Sequence, residues 1–213
     1  MRASAECREL IKAWEGIEDG DPSTAHLEPY ICPANIYTVG YGHALKTSAG
    51  RNIDVDTFGA ARARQLADNA MIEKFGRAGI TLEEADALLA EDLRIYERAV
   101  ERAVASSSAT TQKQFDALVS FCFNVGGPNL RASSVLRLHN AGQRCVGDIN
   151  IPDLYRASAE KHAITDIQIA FVRWAYANGN WMLGLFRRRL SEVMLYAGHS
   201  AEVALEHARK ARA

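Results

Sequence analysis

Apolar residues recur every three to four positions over most of this chain, the period of helices with one buried face. Leu10, Ile11 and Trp14 follow Ser4, whose hydroxyl fits an N-cap, and Gly16 ends the pattern, so a first helix closes at Glu15. From Gly20 to His43 the pattern changes. That stretch is rich in Gly, Pro, Asn and Tyr, and its IYTVGYGH run alternates β-branched and aromatic residues with small ones, which predicts a short hairpin or small sheet. Residues 45–56 read as loop, and 57–75 as a helix of Ala60, Ala61, Ala63, Leu66, Ala67, Ala70 and Met71, ended by the Gly76 to Gly79 breaker. Thr81 followed by Glu84 makes a capping-box pattern ahead of a long helix, about 81–105, on which Leu88, Leu89, Leu93, Tyr96 and Val100 share a face. Further helical patterns run through QFDALVSFCFNV, SSVLRLHNA, DIQIAFVRWAYAN and GLFRRRLSEVMLYA, and the closing HARKARA reads as a frayed helix end. The expected fold class is α+β, mainly helical, with one small β element near the N-terminus.

Composition narrows the class without naming a chemistry. The 213 residues, 48% hydrophobic and 24% charged, suit one globular unit divided into two lobes better than several independent domains. A formal net charge of −1 gives no global basis for binding nucleic acid, although Arg187, Arg188 and Arg189 form a local basic group. Glu6, Arg8 and Glu9 stand where a signal peptide needs an apolar core, and no apolar run of about 18 residues follows, so synthesis in the cytoplasm without stable membrane insertion is expected. Cys7, Cys32, Cys122 and Cys145 are scattered, without the close pairing of a zinc site, and are expected as free thiols. No internal repeat is present, and SSSATT at 106–111 is a short connection between helices.

A carboxylate at a helix C-terminus is an odd placement, because the helix dipole disfavours negative charge there. Taken alone, such a Glu is ordinarily a solvated surface residue. Its surroundings change that reading: Trp14-Glu15-Gly16 is followed by Leu27-Glu28-Pro29-Tyr30-Ile31-Cys32 and by Tyr37-Thr38-Val39-Gly40-Tyr41-Gly42-His43. These segments closely resemble the phage-type lysozymes, the T-even-phage-like muramidases, whose pattern runs helix, Glu-Gly, an aromatic, Asp or sometimes Cys, then Thr, then Gly-x-Gly-His. The spacing from Cys32 to Thr38 agrees with that family. QFDALVSFCFNVG at 114–126 and Trp174 through GLFRRRLSEVML at 184–195 supply two further matches, so the resemblance extends from residue 4 to about 197.

The resemblance implies a lysozyme-like two-lobed fold, and an endolysin that hydrolyses the β-1,4 bond between N-acetylmuramic acid and N-acetylglucosamine in peptidoglycan, without metal or organic cofactor. Cutting a glycosidic bond takes a proton donor at the leaving oxygen and, on the other face of the sugar, a group that activates water or stabilises the oxocarbenium ion. By resemblance Glu15 is the general acid, Cys32 occupies the position of the second catalytic group, and Thr38 is the hydroxyl that holds water or substrate. Two departures from the family matter. Residues 17–26, IEDGDPSTAH, lengthen the gap between Glu15 and Cys32 by about eight residues, an insertion that a surface loop tolerates cheaply. Cys32 stands where most relatives carry Asp, and an ordinary thiol, with a pKa of about 8.5, is mostly neutral at pH 7. Asp21 or Asp19, inside the insertion, is an alternative base.

Other signals take supporting roles. By resemblance His43 pairs with a carboxylate of the long helix, and Asp92 is the expected partner, fastening the β lobe to that helix. Asn124, Arg187 and Arg188 are candidates to line the cleft, since an Arg near the catalytic Glu is common in the family. Gly40-x-Gly42 lacks the third glycine and the Lys-Ser/Thr of a phosphate loop and reads as a tight turn. Asp54-x-Asp56 lacks the downstream Gly and Glu of a calcium loop and reads as solvated. Phe171, Trp174 and Tyr176 on one helix, with Phe115, Phe121 and Phe123, read as core. Segments 45–80 and about 143–165 exceed compact relatives and carry no assigned chemistry. The expectation is a single catalytic domain over 1–213: a β-containing lobe at about 16–80, a linking helix at about 81–105, a helical lobe at about 106–197 and a basic tail at 198–213. Peptidoglycan is the expected partner, with dependence on a holin for release from the host cytoplasm to the periplasm and wall, and a monomeric state. A lytic transglycosylase, or a catalytically weakened wall-binding relative, is the competing reading.

Overall fold

The structure, a computed structural model, describes residues 1–144, 149–160 and 163–212. Its contacts divide the chain into a smaller unit, Glu15–Asp92, and a larger one made of Met1–Trp14 with Leu93–Ala213.

In the smaller unit β1 (Tyr30–Ile31), β2 (Tyr37–Val39) and β3 (His43–Ala44) form an antiparallel sheet in that order, with Tyr30 opposite Thr38 and Val39 opposite His43. A five-residue loop, 32–36, and a three-residue loop, 40–42, set this register. Between β1 and β2, Asn35 N–H donates to Cys32 O at 2.9 Å and Cys32 N–H to Ile36 O at 3.0 Å, with Asn35 at φ 58°. Between β2 and β3, Gly40 and Gly42 sit at φ 62° and 89°, and a Cβ on Gly40 would come 3.0 Å from the Ala85 side chain. The glycine pair is therefore explained by turn geometry and close packing on a helix.

Helices α2 (Val55–Phe58), α3 (Ala60–Phe75) and α4 (Leu82–Ala103) follow, and α4 passes from one unit to the other between Asp92 and Leu93. Ala63, Ala67 and Met71, four residues apart on α3, are fully buried in a cluster with Val39, Ile53 and Ile80. The single helix expected over 57–75 is instead split at Gly59, whose φ of 74° breaks the helical path. Its first piece starts earlier, at Val55, because the Asp54 carboxylate accepts the Thr57 N–H at 2.6 Å and caps it. The expected loop at 45–56 also carries isolated β-bridges, Lys46 to Asn52 and Asp54 to Ile36. At the head of α4 the capping box is formed: Thr81 N–H donates to the Glu84 carboxylate at 2.8 Å, and Glu84 N–H to Thr81 Oγ1 at 3.2 Å.

The larger unit holds α1 (Ala5–Glu15) up to Trp14, the rest of α4, α5 (Gln112–Val125), α6 (Gly127–Ala132), α7 (Ser134–Asn140), α8 (Ile151–Ala159), α9 (Ile167–Val172), a hairpin of β4 (Tyr176–Ala177) and β5 (Asn180–Trp181), α10 (Leu183–Tyr196) and α11 (Ala201–Lys210). Its centre is α10 packed on α5 and α11, with Phe121 edge-on to Phe171 and to Trp174 at 5.4 Å each. The helix expected through DIQIAFVRWAYAN ends at Val172; Asn178 and Gly179, at φ 50° and 80°, turn the chain into the β4–β5 hairpin. Tyr176 thus lies on a strand, not beside Phe171 on a helix, and its hydroxyl donates to Ser158 O at 3.1 Å and Ala159 O at 3.0 Å. The HARKARA stretch read as a frayed end holds the last turn, His207–Lys210, of a packed helix, α11, which is capped by Ser200 and buries Ala201, Ala204, Leu205 and Ala208. Phe123 is only half-buried, edge-on to Tyr96 at 5.0 Å. Cys7, Cys32 and Cys122 carry free thiols, whereas Cys145 lies outside the described residues.

Candidate active site

Glu15 is exposed and is the last residue of α1, followed by Gly16 at φ 69°. The helix that presents it is fastened at its start. Ser4 Oγ accepts the Cys7 N–H at 3.3 Å and donates to the Asp116 carboxylate, which also accepts the Ser4 N–H at 3.0 Å. Leu10 and Ile11 are fully buried, so α1 enters the core along one face and leaves Glu15 at the rim.

The sheet of the smaller unit places Cys32 and Thr38. Cys32 is half-buried at the mouth of the β1–β2 loop, held by its own backbone bonds to Asn35 and Ile36. Thr38 is buried at 4% exposure, and its hydroxyl makes a long bond, 3.4 Å, to Tyr30 O across the sheet. Tyr30 lies opposite Thr38 in the sheet register. Burial raises its phenol above the ordinary tyrosine range, a hydrogen bond with the Thr38 side chain opposes the rise, and the acidic groups of Glu18, Cys32 and Glu15 add to it. Glu15, Cys32 and Thr38 belong to one unit. Sequence reasoning passed over Tyr30 as a mere aromatic of the motif; the signal was its position opposite Thr38 in the sheet register.

The acids of the inserted loop have other work. Asp19 Oδ1 accepts the N–H groups of Asp21 at 3.1 Å and Glu28 at 2.8 Å, and Gly20 N–H donates to Glu28 O at 3.0 Å, so Asp19 closes the loop. Asp21 accepts from the hydroxyl and N–H of Ser23, whose side-chain bond above all holds the Asp21 carboxyl below its ordinary range. A carboxylate stabilised in its charged form is a weak base. His43 Nδ1 lies 2.9 Å from Asp92 Oδ2. Asp54 caps α2, and the Asp56 carboxylate accepts from Asn35 Nδ2 at 3.1 Å. Among the described residues no group of three or more His, Cys, Asp or Glu is arranged to hold a metal, and no helix is long and apolar enough to cross a membrane.

Asn124, Arg187 and Arg188 belong to the larger unit. Asn124 Oδ1 accepts from Arg189 Nη2 at 2.8 Å, so the arginine next in sequence to the two candidates is the one that reaches Asn124. Arg187 donates from Nε and Nη2 to Ala211 O at 3.0 and 2.9 Å, which binds it to the end of α11. Arg188 and Arg189 flank Glu192 at 3.7 and 3.2 Å, and Ser120 Oγ donates to Glu192 at 2.9 Å. Arg189 and Glu192 have no exposure at all. Burial raises the Glu192 carboxyl above its ordinary range, against the pull of Arg189 and Arg188. The remaining cysteines are embedded in this unit: burial pushes the Cys122 thiol up to about 11, and burial followed by the nearby Asp116 pushes Cys7 upward as well.

The chain is similar to known proteins in sequence and in fold. The Phage lysozyme family model matches residues 13–152. The endolysin of Bacillus phage PZA is 28% identical over 88% of this chain, which spans 52% of that protein, about half its length. Among solved structures, the muramidase domain of SpmX from Asticaccaulis excentricus aligns with 93% of this chain and 99% of its own, at 29% identity and a TM-score of 0.57. The endolysin from Escherichia coli O157:H7 phage FAHEc1 aligns with 93% of this chain and 94% of its own, at 26% identity and a TM-score of 0.58.

Proposed function

Because the chain belongs to the phage lysozyme family, we propose that it is an endolysin that hydrolyses the β-1,4 bond between N-acetylmuramic acid and N-acetylglucosamine in peptidoglycan, with Glu15 as general acid. The observation that carries this reading is Glu15, exposed at the C-terminal end of α1 within the span that the family model matches, in the same unit as Cys32 and Thr38. Glu15 protonates the leaving oxygen. Thr38 holds a water by its hydroxyl, and Cys32 takes the position of the second catalytic group on the other face of the sugar. Cys32 is favoured over the acids of the insertion because Asp19 is engaged in loop closure and Asp21 in its own turn. The buried Thr38 hydroxyl, weakly held by its long bond to Tyr30 O, suits the holding of a water, which favours hydrolysis over an anhydro-forming transglycosylase.

Glu15→Gln is expected to lower cleavage of purified peptidoglycan by about a thousandfold or more, since the amide cannot donate the proton. Mass analysis of the wild-type products should give reducing muramic acid ends. Anhydro ends, or a Glu15→Gln protein that still clears the wall, would overturn the reading. Action as a monomer, made in the host cytoplasm and released to the wall by a separate holin, belongs to the same proposal. Lysis on expression with a holin and none without it is the check on that delivery, and sedimentation of the purified protein is the check on its monomeric state.

A further inference from the structure

Glu15 ends α1, so the place of its carboxyl depends on how firmly the last turn of that helix is held. The residue before it makes a bond that no catalytic assignment uses. Trp14 Nε1–H donates to Ser191 Oγ on α10 at 2.9 Å, and the Ser191 hydroxyl donates onward to Arg188 O at 2.7 Å. Ser191 is fully buried and Arg188 nearly so. An indole nitrogen can only donate, and a serine whose single proton is already engaged by its own helix has only lone pairs left to offer. The chain of bonds therefore runs in one direction and fixes the rim end of α1 against α10. At its other end the same helix is held through Ser4 and the buried Asp116. Helix α1 is thus pinned at both termini by polar bonds into the core, which sets the rotation and height of its final turn.

We propose that Ser191, acting through Trp14, is a positioning residue for Glu15. The proposal rests on the reading of Glu15 as the acid. Proton donation in the transition state is sensitive to displacements well below an ångström, whereas binding of a long glycan strand is spread over many contacts. Loss of the link should therefore fall on kcat and spare KM.

The test is steady-state cleavage of soluble peptidoglycan strands by wild type, Ser191→Ala, Trp14→Phe, the double variant and Glu15→Gln, with thermal melting to show that each is folded. Each single variant is expected to lose about tenfold in kcat with KM changed less than about twofold. The double variant should be no slower than the slower single, because both remove the same link. Wild-type kcat in Ser191→Ala, a loss confined to KM, or losses that multiply in the double variant would each overturn the proposal. If Ser191→Ala does not fold, Trp14→Phe decides alone, on the same split between kcat and KM. Full activity in Glu15→Gln would instead overturn the assignment of the acid, a distinct outcome.

Discussion

The two units of the chain are built on different principles. Among the described residues, Thr38 is the one buried polar side chain of Glu15–Asp92, whereas Glu97, Asp116, Ser120, His139, Arg188, Arg189 and Glu192 all lie inside the larger unit. The smaller unit is held by apolar packing, tight turns and ion pairs near the surface, and its core cluster includes neither the exposed Glu15 nor the half-buried Cys32. In the larger unit, charged groups are part of the core and must be satisfied together. Substitutions of charged residues should therefore damage stability in one unit and chemistry in the other.

The largest effect on stability is expected at Glu192. Removing its carboxylate takes a fully buried partner from both Arg188 and Arg189, so Glu192→Ala should cost about 3–5 kcal/mol in denaturant unfolding. Glu15→Gln should stay within about 0.5 kcal/mol of wild type, because the side chain is exposed. Equal stability losses at the two glutamates would break the comparison.

Acid should act next, and through the larger unit. His139 is fully buried, with Nδ1 2.6 Å from the Tyr196 hydroxyl and Nε2 2.9 Å from Thr110 Oγ1. Burial, with Arg144 adding, lowers its pKa from 6.5 to about 4. A histidine whose folded pKa lies below its unfolded value contributes nothing adverse above pH 6.5, and destabilises progressively as pH falls from there to about 4, where the effect levels off. The full swing is on the order of 3 kcal/mol. Melting between about pH 7 and 4.5 covers this transition while most carboxylates titrate lower, and comparison with a His139 variant separates it from the other histidines and Glu192. His139→Gln, which keeps hydrogen-bonding capacity, should flatten the profile; an unchanged slope would show that His139 is not its source.

Thr38 tests the comparison from the other side. If the buried Thr38 hydroxyl serves chemistry, Thr38→Val should leave stability within about 1 kcal/mol, the usual net worth of a hydroxyl's hydrogen bonding, while slowing cleavage by about ten- to a hundredfold. A variant that melts much lower and retains its rate would make Thr38 a structural residue like those of the larger unit.

The same contrast explains what the sequence made legible. Helices such as α1 and α5 were readable because their boundaries carry caps and glycines as well as an apolar stripe. The β4–β5 hairpin was not, because Phe171, Trp174 and Tyr176 happen to sit at helical spacing; the deciding signal was the Asn178-Gly179 pair, which the stripe overrode. Helix α11 buries alanines, whose weak apolar signal is lost among charged neighbours. At the candidate site, Glu15, Cys32 and Thr38 sit on local segments with strong turn signals and could be placed one by one. Arg189 could not, since consecutive arginines on a helix point about 100° apart and only tertiary packing decides which of them enters the core.

The smallest effect is expected where geometry alone would predict a large one. His43 and Asp92 approach to 2.9 Å, closer than the 3.2 Å between Arg189 and Glu192. Yet the side chains of the first pair keep 21% and 37% exposure, against 0% for both members of the second. Water and salt screen the exposed pair, and Asn at 92 can still accept from the imidazole, so Asp92→Asn should cost about 0.5–1 kcal/mol or less in urea unfolding at pH 7. Added salt should reduce even that difference, while leaving the Glu192→Ala deficit in place, because screening does not reach a dry core. A loss at Asp92 as large as that at Glu192, and insensitive to salt, would mean that the smaller unit is also held by charge. Burial, rather than contact distance, would then have failed to rank the two pairs.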